Sequence, residues 1–126
     1  MLLVDAANVI GSRPTGWWKD RPGAARAFVE RVQTAVRTGQ LTEPVVVVLE
    51  GQARAGVEPG LADGVTVAHA PRSGDDQLLE VISGADAPVT LVSADRALSE
   101  QARTLGAHVV PPGWLLERLD GRRPDA

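Results

Sequence analysis

The chain lacks cysteine altogether, has a single lysine, and has no apolar run approaching the roughly 20 residues of a membrane span. Without cysteine, disulfides, thiolate metal sites and cysteine nucleophiles are excluded. Lys19 sits in a stretch rich in Gly, Pro and Trp. A phosphatase or phospho-acceptor domain needs a nucleophilic Asp with a supporting lysine, so a lone loop lysine argues against that class. The opening Met1-Leu2-Leu3-Val4-Asp5 carries neither a basic segment nor a long apolar one, so no secretion signal is read there. The expectation is a soluble cytoplasmic protein that meets no membrane. No internal repeat and no low-complexity segment interrupts it.

What is present fits one domain. The chain has 126 residues, 44% of them hydrophobic, enough for one core and too few for two. The domain is expected over residues 1–120, with 121–126 as a flexible tail. The net charge of −3 does not advertise a nucleic-acid binder. Carboxylates gathered for a metal would themselves lower the count. The dominance of Arg over Lys offers phosphate-binding forks, and high-GC coding produces the same bias.

Apolar periodicity alternates between strand-like runs and helical stripes. Leu2 to Val4, Val45 to Leu49, Val65 to His69, Val89 to Val92 and His108 to Val110 read as strands. Helices are expected from Pro22 towards Gly39, after Asp76, from Ala97 to Leu105, and from Trp114 to Leu119. Residues 11–23 and 51–63 read as loops, the second with room for a short helical turn. Strands alternating with helices imply an α/β fold with a parallel sheet covered on both faces. Trp114, Leu115 and Leu116 either finish the core or face a second copy of the chain.

Acids then fall where such a fold places its sites. Asp5 and Glu50 each close an apolar run, Asp95 follows Val89 to Ala94, and the doublet Asp75-Asp76 opens an amphipathic stretch. The ends of parallel strands lie at one edge of the sheet, where α/β proteins hold their ligands. Asn8, three residues beyond Asp5, reaches the same cleft. Capping and Asx-turn chemistry explain Asp5, Asn8, Asp75, Asp76 and Asp95 one at a time, and Glu50 alone is an ordinary solubilising strand end. Their convergence would instead create repulsion that a hard divalent cation offsets. His69 and His108 lie in or beside strands and read as structural.

These segments also carry a resemblance. Leu3-Val4-Asp5-Ala6-Ala7-Asn8-Val9-Ile10-Gly11 resembles the opening of the PIN-like ribonuclease superfamily, in its NYN branch. Val47-Val48-Leu49-Glu50-Gly51 resembles that branch's second-strand motif, which usually has Asp where this chain has Glu50. Ser73-Gly74-Asp75-Asp76-Gln77-Leu78 resembles the segment before its central helix, and Leu91 to Leu98 its fourth strand and S-D-R turn. The likeness runs in order over residues 2–110. It implies a three-layer α/β/α PIN-like domain with about five parallel strands in the order 3-2-1-4-5. It also implies a cleft for Mg²⁺ or Mn²⁺ and hydrolysis of RNA phosphodiester bonds.

Carried over by position, Asp5, Asp75 and Asp95 with Asn8 are the implied catalytic set. Asp5, Glu50, Asp75, Asp76 and Asp95 are the implied metal set. Glu50 departs from the pattern by one methylene, which shifts its carboxylate by about a bond length. RNA contacts are expected from Arg13, Trp17, Trp18, Lys19 and Arg21 in the loop after the first strand, and from Arg54, Arg72 and Arg96 beside strand ends. Guanidinium groups bind phosphate and indoles stack on unpaired bases, so the expected partner is single-stranded RNA. The bland reading packs one Trp over the core and leaves the rest solvated. A toxin role with an antitoxin-like protein partner and an RNA-processing role share this chemistry. The alternative is a PIN-like module that binds RNA or protein without cutting.

Overall fold

The computed structural model describes residues 1–121. The expected tail, apart from Gly121, lies outside the described residues. Five strands run parallel: β1 (Leu2–Asp5), β2 (Val45–Leu49), β4 (Val65–His69), β5 (Thr90–Val92) and β6 (His108–Val110). A sixth, β3 (Gly60–Ala62), pairs antiparallel with β4 at the sheet edge. The full order is β3-β4-β2-β1-β5-β6. Without β3, the parallel strands follow the expected order 3-2-1-4-5.

The loop expected over 51–63 is therefore corrected at 60–62, while the short helical turn expected within it is present. Residues 51–56 form 3₁₀ turns, and 60–62 form the edge strand. Asp63 and Gly64 both have positive φ, 50° and 79°, the conformation that joins twisted antiparallel strands in two residues.

Five helices cover the sheet: α1 (Ala6–Gly11), α2 (Arg21–Arg37), α3 (Gly74–Gly84), α4 (Arg96–Thr104) and α5 (Pro112–Leu119). Alternation along the strands sorts side chains into two cores. Leu2, Val4, Val45, Val47 and Leu49 pack with Phe28, Val29 and Val32 of α2 and Leu115 and Leu116 of α5. Leu3, Val48 and Leu91 pack with Leu78 and Ile82 of α3 and Leu98 and Ala102 of α4. Leu115 and Leu116 thus finish the first core. Among the described residues no helix is long and apolar enough to cross a membrane.

This alternation aims the site. Asp5 continues the parity of Leu3, Ser93 that of Leu91, and Glu50 that of Val48. All three are directed by the strand period towards the face where α3 and α4 begin.

Candidate active site at the sheet edge

Asp5 is the centre of the edge. It is only 7% exposed, and its Oδ2 accepts a 2.9 Å hydrogen bond from Ser93 Oγ. Its Oδ1 accepts a longer bond, 3.4 Å, from the backbone N–H of Asn8, so Asp5 also caps α1. Its carboxyl is raised from 3.8 to about 6: burial is the main cause, the charges of Asp75 and Glu50 add to it, and these two hydrogen bonds oppose it. Desolvation outweighs hydrogen bonding because one of the two bonds is long.

Ser93 is the residue that sequence reasoning missed. Its hydroxyl donates to Asp5 and accepts from the backbone N–H of Asp95 at 3.1 Å, joining β1 to the turn before α4. Asn8 makes a parallel tie, its Oδ1 accepting from the Ala94 N–H at 2.8 Å. Asp95 Oδ1 caps α4 by accepting from the Leu98 N–H at 2.9 Å. Asp5 and Asp95 are therefore both helix caps, and Ser93 links the Asp5 carboxylate to the Asp95 backbone. The available signal was a polar residue at the closing position of an apolar strand.

Across the sheet the acids are held more loosely. Ser73 caps α3, its Oγ accepting from the Asp76 N–H at 3.2 Å. The expectation that one Asp of the doublet is the cap is corrected, because Ser73 already occupies that position. Asp75 and Asp76 lie exposed in the first turn. Asp75's carboxyl is raised by partial burial and by the charges of Asp95, Glu50 and Asp76. Glu50 Oε2 accepts a 2.6 Å bond from the Gly74 N–H. A Cβ at position 74 would stand 3.0 to 3.2 Å from the Glu50 carboxyl atoms, so glycine permits this approach. Glu50 thereby ties β2 to the start of α3.

The charges of Asp75 and Glu50 thus bear on Asp5, and those of Asp95, Glu50 and Asp76 on Asp75. Their donors are all hard oxygens, the set that suits Mg²⁺ or Mn²⁺. Among the described residues no three stand close enough to cage an ion. A cation held by one or two of these carboxylates, keeping several waters, matches that spacing. The residues fit such a group.

The expected RNA contacts divide. Trp17, Arg21 and Arg72 line an open cavity of about 520 Å³ together with Ala7, Gln52 and Glu50. Trp18 is 51% exposed and meets Trp17 edge-on at 5.8 Å. Lys19 is exposed on the same 3₁₀ turn, Trp17–Lys19. Arg13 is drawn away by Asp120, which also pairs with Arg31. Arg54 folds back onto the carbonyls of Gly51 and Ala70 at 3.1 and 3.2 Å. Arg96 lies beyond the Ser93–Asp95 turn, beside Glu100 and Arg103. His69 Nε2 meets the Val57 carbonyl at 2.7 Å, a structural contact as expected.

With this geometry in place, the chain can be compared with known proteins. The crystal structure of a mutant of Rae1 (YacP) from Bacillus subtilis superposes with a TM-score of 0.65, over 95% of this chain and 74% of that one, at 17% identity. The two chains share a fold, a mostly parallel sheet covered by helices on both faces. At that identity the likeness is one of fold alone. No family model and no curated protein sequence matches the chain.

Proposed function

We infer that the protein is a metal-dependent ribonuclease that hydrolyses RNA phosphodiester bonds at the C-terminal edge of its sheet. The observation that carries this reading is the gathering at one sheet edge of acids from the ends of β1 and β2, the first turn of α3 and the cap of α4, around a buried Asp5. The resemblance of the four motifs to the NYN branch supports the reaction class, and the fold agrees with it.

One or two of Asp5, Asp75 and Asp95 would hold Mg²⁺ or Mn²⁺, with waters completing its shell. The bound cation would supply charge to polarise the scissile phosphate and lower the pKa of an attacking water. Ser93 and the Asn8 backbone fix the Asp5 carboxylate, and the Asn8 side chain fixes the turn that carries Asp95. Glu50 positions Asp75 through Gly74 rather than presenting both its oxygens to a ligand. It therefore acts here as a positioning residue.

The test is cleavage of a single-stranded RNA oligomer by the purified chain with Mn²⁺ and with EDTA, beside calorimetric Mn²⁺ titration. Metal-dependent cleavage with measurable binding heat is expected. Binding heat without cleavage, or neither, would favour the non-cutting module, a reading that the occupied Glu50 oxygen supports.

A further inference from the structure

We propose that the cavity between α1, the Trp17–Lys19 turn, the start of α2 and residues 50–53 receives one unpaired base of the RNA strand. This proposal rests on the ribonuclease reading and names the substrate feature that reading leaves open. The cavity volume, about 520 Å³, lies within the roughly 300–1,000 Å³ usual for small-ligand sites. Its floor is apolar, with Ala6, Ile10 and Leu49. Trp17 and Arg21 stand together on its wall, the guanidinium 5.0 Å from the indole centroid. Flat aromatic and guanidinium groups are the ones on which unstacked bases settle. Gln52 on the same lining carries an amide, with both donors and an acceptor for a base edge.

Position joins this cavity to the acids. Glu50 lines it and also contributes to the field on Asp5 and Asp75. A base seated there leaves its sugar-phosphate at the rim, where Arg72 supplies positive charge and the acidic edge begins. A base paired in a duplex is stacked on both faces and cannot enter. The cavity therefore selects single-stranded RNA by shape.

The walls are tied together. A Cβ on Gly56 would come within 2.0 Å of the Pro22 carbonyl oxygen, and Arg26 Nε donates to the Gly56 carbonyl at 3.2 Å. The 51–56 turns and the start of α2 thus move as one, and the cavity is formed before any ligand arrives.

The experiment measures binding of a six-nucleotide single-stranded RNA in EDTA, against versions with an abasic sugar at each position in turn. Two variants are used, Trp17→Ala to remove the stacking wall and Ala7→Leu to fill the space from an exposed helix position. One abasic position should weaken binding to the native chain roughly tenfold. Each variant should lose the same factor, and combining the abasic sugar with either variant should cost nothing more. An abasic penalty that persists undiminished in both variants, or no penalty at any position, would overturn the proposal. A hairpin that pairs the same bases should compete poorly, and equal competition would also count against it. Cleavage of the unmodified oligomer in Mn²⁺ is read separately. Cleavage without the abasic effect removes the base pocket alone. The abasic effect without cleavage removes the ribonuclease reading while the base pocket stands.

Discussion

The two halves of the acidic edge are built differently. On the β1–β5 side, Asp5, Asn8, Ser93 and Asp95 are bound to one another and to helix caps by five hydrogen bonds. On the β2–α3 side, Asp75 and Asp76 stand exposed, positioned by the Glu50–Gly74 bond and the Ser73 cap alone. The first half resembles a preorganised catalytic group, whose geometry is fixed before substrate binds. The second is free to adjust to what enters. On the ribonuclease reading proposed above, a site that holds a cation and admits a polymer gains from that division.

The largest expected effect separates chemistry from capping on the rigid side. Asn caps a helix as well as Asp does, so Asp95→Asn should leave the melting temperature unchanged. It should still lower Mn²⁺-dependent cleavage on the order of a hundredfold. A cleavage rate within a few-fold of the native chain would leave Asp95 as a cap and nothing else.

Next comes the pH response of the rigid side. Asp5 has a folded-state pKa near 6, above its ordinary 3.8. Between those values the folded chain binds more protons than the unfolded one, so stability from this group is full below about 4 and is lost as pH rises through about 6. The span is worth on the order of 3 kcal/mol in the metal-free protein. Denaturant midpoints at pH 5 and pH 8 should show about half of it, ~1.4 kcal/mol, and Asp5→Asn should flatten the slope. Saturating Mn²⁺ should also reduce it, because the cation favours the ionised carboxylate.

A smaller effect tests the flexible side. Glu50→Gln keeps an acceptor oxygen at the same reach and should hold the Gly74 amide slow to exchange. Glu50→Asp is one methylene short and should release it, at about 1 kcal/mol. On the ribonuclease reading, Glu50→Asp should therefore lower cleavage rather than raise it. The smallest effects come from two arginines outside the cleft. Arg13→Ala breaks an exposed ion pair and should cost about 0–1 kcal/mol, and neither it nor Arg54→Ala should change RNA affinity more than about twofold.

The sequence disclosed this architecture unevenly, for physical reasons. Buried parallel strands are continuous apolar runs, so Val45 to Leu49 and its partners were legible. β3 was not: Gly60, Leu61 and Ala62 are all exposed, and three exposed residues have no burial pattern to reveal them. The Asp63-Gly64 turn was the available sign. α1 is also short, at six residues, and Asp5 to Asn8 showed its cap without its helix. Among site residues the carboxylates stood out because charge at the end of an apolar run is costly. Ser93 did not, since a hydroxyl at a strand end is cheap until its partner is known. Charge near a strand end also looked alike in Arg54 and Arg72. Only the folded chain shows that the first turns back onto its own backbone and the second lines the cavity.

Ser93 has one further consequence. A hydroxyl offers a single proton and two lone pairs, and here the proton is committed to Asp5 while a lone pair receives the Asp95 amide. The chain of polarity therefore runs one way, from the peptide of one strand end to the carboxylate of another. Alanine at 93 would interrupt it, and asparagine would need a longer reach to accept and donate at once. Threonine alone among the common β-branched residues can keep the direction, so position 93 works as a polar valve between two strands and admits a very short alphabet.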